Sequence, residues 1–322
     1  MVNKNKLLFC LRSVVSFGLL FTLLWIMRSS IKDIAGILQN SNKFFFALGF
    51  LLNISLSLLL PLRLKYLMKG QDIDMTFSDA LYLTYIGYFF NNFLPTAIGG
   101  DLVKAHYASK KTNNNIASYA AIAADRLCGL VSVIALALVG LAFFGNSLGN
   151  KKIFWAVILM ASALIIFLVI LLNKKIVHNH NPAKSKLFNA IARNFSKLYN
   201  AINSYKDRRW IVVKSLYLSI IAHLGAVFTI YIFIVAMDGD INFIKLFLIV
   251  PLVWTLSMLP SLNGLGVREG AFVYFLKGDI GADMAFTVSM LWLGMIIVFS
   301  IIGGVLHLLY PVEAKNKEDS SC

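Results

Sequence analysis

Long apolar runs, separated by short polar segments, dominate the chain. Six of them reach or approach the roughly 20 helical residues that cross a hydrocarbon core about 30 Å thick: 7–27, 44–60 with an extension to 67, 116–144, 153–173, 211–237 and 284–310. Each predicts a membrane-spanning helix. The first follows Lys4 and Lys6 as a signal peptide would. Its apolar run is too long for one and no small-x-small site follows Met27, so it reads as a retained anchor. Two further runs, 76–94 and 243–260, are about as long, yet both end at Leu-Pro and enter glycine-rich segments.

Composition agrees with a bilayer. Of 322 residues 59% are hydrophobic and 14% charged, against about 45–50% and about 25% in soluble domains, which is more apolar surface than one aqueous core hides. A disulfide scaffold is excluded, because the three cysteines are odd in number, with Cys10 and Cys128 inside apolar runs and Cys322 last. The net charge of +15 reads as the positive-inside bias of membrane loops rather than as a nucleic-acid footprint.

That charge also sets the topology. Segment 174–209 holds nine Lys and Arg against one acid, Asp207, which marks it as cytoplasmic. The segments 145–152 and 238–242 are then external, both termini are cytoplasmic, and the protein sits in the cytoplasmic membrane. Parity forbids 76–94 from crossing fully without a return. It predicts a re-entrant hairpin with its turn at 95–100 and its return arm at 101–111, and a second hairpin over 243–277 that enters from the opposite side. The turns match at an offset of 165 residues: Leu94-Pro95-Thr96 with Leu259-Pro260-Ser261, and Gly99 with Gly264. The fold class expected is an all-α integral membrane protein. Six transmembrane helices and two re-entrant hairpins form an inverted-topology repeat, with halves of about 1–150 and 151–312 in one domain spanning 1–322 and a polar tail at 313–322.

The chemistry is expected at the hairpin turns. Proline ends the incoming helix and glycines permit unusual backbone and close approach. A helix starting after such a turn presents N–H groups to an anion. Ionisable residues at membrane depth cost about 2.5–3.5 kcal/mol each on insertion scales and mark function by default. They are Arg12, Asp101, His106, Asp125, Arg126, His223, Arg268 and Glu269, with Lys104 and Lys214 nearer the edges. The candidate headgroup site is therefore Asn92, Gly99, Gly100, Asp101, Asp125, Arg126, Asn263, Gly264, Gly266, Arg268 and Glu269. Asp101 or Glu269 is expected to pair with Arg126 or Arg268 across the hairpins, leaving an arginine for a phosphate. The competing reading is a charge-balanced structural network. Asn91 and Asn92 are expected to hydrogen-bond the interrupted backbone or the ligand, the backbone being the favoured role, and His223 and His307 are assigned to packing. The pairs Asp72/Asp74 and Asp238/Asp240 are assigned to helix capping rather than to a metal. Residues 187–206 read as a basic amphipathic surface helix. No Walker loop, G-x-S-x-G or histidine metal motif is present in the sequence, so no cofactor or metal is expected.

The segments FNNFLPTAIGGDLVKAH, AADRLCGL and LPSLNGLGVREGAF, in that order, resemble the flippase-like transmembrane region of bacterial lysylphosphatidylglycerol synthases. That family also includes stand-alone membrane proteins and some labelled dolichol-phosphate glycosyltransferases. The resemblance implies that Asn92, Pro95, Gly99, Gly100, Asp101, Asp125, Arg126, Gly129, Pro260, Gly264, Gly266, Arg268 and Glu269 occupy signature positions. It also implies that aminoacyl transfer in the full-length synthases belongs to a cytosolic domain, which is not expected here. The function expected is translocation of an anionic or aminoacylated phospholipid or a polyprenyl phosphate. A headgroup transferase and an accessory subunit of a separately encoded lipid enzyme are the alternatives, and a homo-oligomer is allowed.

The orientation is testable. A cysteine placed at Lys186 in a cysteine-free background reacts with an impermeant maleimide only from the cytoplasm; labelling from outside overturns the orientation and the inverted repeat together.

Overall fold

The computed structural model describes Trp25 and residues 31–93, 99–144, 151–172, 199–258 and 263–309. The predicted first span 7–27 apart from Trp25, the turn residues 94–98 and 259–262, most of the basic loop and the C-terminal tail lie outside the described residues. The described part is helical: α1 Ile31–Asn40, α2 Lys43–Ser57, α3 Leu59–Lys69, α4 Phe77–Phe93, α5 Gly99–Thr112, α6 Asn115–Phe144, α7 Lys151–Leu172, α8 Arg209–Ala236, α9 Phe243–Leu256, α10 Val267–Ile280 and α11 Ala282–Leu309. A 3-10 turn at Ser204–Arg208 precedes α8. The apolar runs 116–144, 153–173, 211–237 and 284–310 each become a helix within two residues of the expected ends. Helix α1 is an addition that hydropathy did not reveal.

Among the described residues four stretches are long and apolar enough to cross a membrane: 43–69, 115–143, 199–236 and 282–309. Shorter apolar stretches occupy 154–169 and 243–256. The outward side chains match a lipid surrounding. Trp155, Leu159 and Ile165 on α7 are each more than half exposed, and so many large apolar groups on one helix face would be unfavourable against water. The protein is a multi-pass membrane protein.

Two apolar cores organise the bundle. The first joins α3, α4, α5 and α6 through Leu64, Leu67, Leu83, Ala108 and Ile122. The second joins α8, α9, α10 and α11 through Ile230, Leu246, Val250, Phe272 and Val288. A smaller cluster seals α9 on α6 and α7 with Ala137, Leu141, Val157 and Leu248.

The long last helix of each group packs on a helix of the other: α6 on α9 and α11 on α4. Glycine permits both crossings, as small residues do between membrane helices. A Cβ on Gly140 would lie 2.5 Å from the backbone nitrogen of Leu248, and one on Gly303 would lie 2.0 Å from the carbonyl oxygen of Tyr85. Gly140 and Gly303 are 163 positions apart, and so are Tyr85 and Leu248. The two crossings are therefore offset by the same number of positions.

The caps differ from the sequence reading. Asn42 caps α2 and Asn242 caps α9 through their side-chain oxygens, and Thr76 Oγ1 accepts from Asp79 N at the start of α4. Asp72 instead receives Arg208 Nη2 at 2.7 and 2.8 Å. Asp72 and Asp238 share a left-handed backbone, with φ of 58° and 57°. They terminate the preceding helices rather than cap the following ones.

Candidate functional site

The site is built where the helix pairs α4/α5 and α9/α10 meet. Helix α5 starts at Gly99, and its Gly100 lies so close to α4 that a Cβ would approach the Gly87 carbonyl oxygen to 2.1 Å. Gly100 N donates to Asn91 Oδ1 at 2.9 Å, which is the backbone role expected for Asn91. Helix α10 opens after left-handed Asn263, Gly264 and Gly266. Gly266 N donates to Glu269 Oε2 at 2.6 Å. The amides of Gly100 and Gly266 are thus occupied by side chains of the protein itself, contrary to the expectation that they face a ligand. Asn263 Nδ2 donates to Asn92 Oδ1, tying the second turn to the first.

Seven charged side chains accompany these turns. Arg126 Nε donates to Asp101 Oδ2. Lys104 Nζ lies 3.7 Å from Asp101 Oδ1 and 3.4 Å from Asp125 Oδ2. Arg63 Nε reaches Asp125 Oδ1 at 2.7 Å, and its Nη1 donates to Ser219 Oγ at 2.7 Å. At the start of α10 Arg268 Nε donates to Glu269 Oε1 at 3.0 Å. Asp125 and Arg126, adjacent and about 100° apart on α6, face different partners as their spacing requires.

The pairing differs from the expected one. Asp101 pairs with Arg126 of α6 and Glu269 with its own neighbour Arg268, so neither carboxylate reaches across to the other hairpin, and both arginines have a carboxylate partner. Arg63 is the residue that sequence reading missed. It sits in α3, past the end of the core apolar run at 60, and looks like a flanking charge beside Lys65. The signal was the continuation of the run through Leu64, Leu67 and Met68, all fully buried, which carries Arg63 inward with them.

Arg126 and Arg268 line one cavity of about 350 Å³. Asn91 and Asn263 line it with them, and its wall includes Trp254, Trp292, Tyr88 and Phe299. His223 also lines it, its Nδ1 held 2.7 Å from the Ser219 carbonyl oxygen and 3.0 Å from Ser132 Oγ. Of the other candidates, Asp101, Asp125, Glu269, Gly99 and Gly100 are buried behind the arginines. Asp125 serves Arg63 and Lys104, Asp101 serves Arg126 and Lys104, and Glu269 serves Arg268. With four cations and three carboxylates the cluster carries one positive charge in excess, on groups mostly withdrawn from water.

A family model described as the lysylphosphatidylglycerol synthase TM region matches residues 10–304. The UPF0104 membrane protein MJ1595 of Methanocaldococcus jannaschii is 24% identical over 330 residues, covering 95% of this chain and 96% of its own. The UPF0104 membrane protein PH1989 of Pyrococcus horikoshii is 24% identical over 327 residues, covering 92% and 95%. No solved structure matches the chain.

The Arg63–Asp125 pair yields a stability prediction. Removing one member of a buried pair strands the other charge and costs about 3–5 kcal/mol, whereas removing both is far less costly. Asp125 keeps Lys104 when Arg63 is removed, whereas Arg63 has no second carboxylate among the described residues, so in denaturant-titrated unfolding of the purified protein D125L is destabilised by about that amount and R63M/D125L by less. A D125L variant as stable as the parent contradicts the assignment.

Proposed function

Because the chain belongs to the lysylphosphatidylglycerol synthase TM region family, we propose that it translocates a lipid with an anionic headgroup, a phospholipid or a polyprenyl phosphate, through the cavity shared by Arg126 and Arg268. The observation that carries this reading is the convergence of those two arginines, 142 positions apart, on one space. The arginine fork suits phosphate oxygens, which it can bind in pairs. The surplus positive charge of the surrounding cluster favours an anion there, and in a low-dielectric interior that attraction is stronger than in water. Asp101 and Glu269 hold the arginines in place and keep the empty cavity from carrying the full charge of both. The aromatic wall takes the apolar part of the headgroup region.

An inverted repeat supplies the movement. Its support is the exchange of packing between halves, α6 on α9 and α11 on α4, at glycines in corresponding positions. Helices α5 and α10 have 14 residues each, about 21 Å at 1.5 Å per residue, which is short of a 30 Å core and supports their role as return arms of re-entrant hairpins. With the six spans in place and 174–209 cytoplasmic, rocking of one half against the other would open the cavity to each side in turn.

Reconstitution tests the reading. In liposomes carrying a panel of fluorescent phospholipids and a polyprenyl phosphate, the protein speeds the crossing of an anionic lipid over protein-free vesicles. R126Q and R268Q/E269Q lower that rate by about 10–100-fold, the worth of one charge-assisted contact. The double variant removes a buried pair together, so no charge is stranded. If no lipid crosses faster than in empty vesicles while the purified protein transfers a headgroup, the transport reading loses to an enzymatic one.

A further inference from the structure

A second concavity, of about 650 Å³, lies away from the arginine cavity and shares no lining residue with it. It is a groove on α6 between α7 and α8. Cys128 lies on its α6 side, Leu168 on its α7 side and Val213 and Leu216 on its α8 side, and Lys206 and Arg209 stand where the 3-10 turn meets α8. Its size falls within the roughly 300–1,000 Å³ of small-molecule pockets. Apart from the two cations and Tyr205 the lining is aliphatic or thiol, and the Tyr205 hydroxyl is taken up by the Leu67 carbonyl oxygen at 2.6 Å. The slot therefore offers a ligand apolar contact along its length and positive charge at one end only.

The charged end is well defined. Lys206 and Arg209 are both exposed, and among the described residues Arg209 makes no hydrogen bond or ion pair. The neighbouring Arg208 is engaged by Asp72, and Asp207 is the one acid within the turn. Beside them Trp210 is 77% exposed, the position of an aromatic residue at a membrane–water boundary. The groove thus begins at the headgroup level, at Lys206 and Arg209, and runs toward the hydrocarbon interior along α8. An aliphatic slot with a cationic mouth at that depth matches one ligand chemistry: a hydrocarbon chain ending in a phosphate.

We propose that this groove is a binding site for an anionic phospholipid of the adjacent leaflet, separate from the translocation cavity. One acyl chain occupies the slot over Cys128 and Leu216, and the phosphate rests against Lys206 and Arg209. The occupant wedges between α7 and α8. Since α8 also carries Ser219, which holds Arg63, and His223 of the cavity wall, the bound lipid braces the helix that links the ionic cluster to the cavity.

Native mass spectrometry of the full-length protein, purified in detergent and mixed with equimolar dioleoylphosphatidylglycerol and dioleoylphosphatidylcholine, tests this. The measurement is made in the R126Q background as well as the parent, so that loss of the cavity's ligand and loss of the groove's ligand are distinguishable. Phosphatidylglycerol is retained in preference in both backgrounds. K206Q/R209Q weakens it by about fivefold for each cation removed without affecting phosphatidylcholine, and V213W, on the half-exposed rim, shuts out the chain and abolishes retention. Equal retention of the two lipids, or phosphatidylglycerol retention unchanged in K206Q/R209Q, overturns the proposal even if lipid translocation stands. Because the charge variant alters only exposed side chains, the test does not depend on the tryptophan variant folding.

Discussion

Charge withdrawn from water must be matched by charge or hydrogen bonds, and in this protein that constraint ties the helices together. Asp125 is 4% exposed and meets Arg63 of α3 on one oxygen and Lys104 of α5 on the other. Lys104 in turn meets Asp101, which meets Arg126. A chain of five ionised groups thus links α3, α5 and α6, and the Arg63–Ser219 hydrogen bond extends it to α8. Buried ion pairs seldom add net stability, because desolvation offsets their attraction. Their consequence here is geometric: any arrangement that separates these helices strands a charge in a medium where stranded charge is expensive.

The same constraint explains why Arg126 can face a cavity. Its side chain is 41% exposed while that of Asp101 is 8% exposed, so the carboxylate anchors the guanidinium from behind. At the other turn Arg268 is likewise held by a buried carboxylate, Glu269, but is itself buried, and Glu269 also takes the Gly266 amide. One turn is secured by Asn91 and the other by Glu269, and the Asn92–Asn263 contact joins them. Under the proposed function, a site assembled this way would have its donors fixed before a ligand arrives, which lowers the ordering cost of binding. The packing of α6 on α9 and α11 on α4 places this junction between the two apolar cores, where relative movement of the cores would act on it directly.

Much of this was legible in the sequence, for definite physical reasons. Uninterrupted apolar runs located the long helices to within a few residues, because hydrocarbon length dictates helix length. Pro-Gly turns flanked by charge located the junction, since few other arrangements tolerate charge at that depth. Arg126, Asn263 and Arg268, all selected on those grounds, line the cavity. Partner choice was not legible. The pairing of Glu269 with its sequence neighbour depends on the left-handed turn at Gly266 bringing the carboxylate back to the helix start, and Arg63 owes its depth to the side of α3 on which it falls. Nor did the spacing of Asp72 and Asp74 reveal that Arg208, 136 positions away, would take Asp72 from any capping role. These are tertiary facts, set by how helices face one another.

The central claim is that Arg126 and Arg268 act on one anion in one cavity. A double-mutant cycle tests it most directly: the affinity of a soluble short-chain phosphatidylglycerol is measured calorimetrically for the parent, R126Q, R268Q/E269Q and the combined variant. Groups that share a ligand are coupled, so the account predicts a departure from additivity of about 0.5–3 kcal/mol. Additive losses would contradict it, placing the two arginines at independent sites.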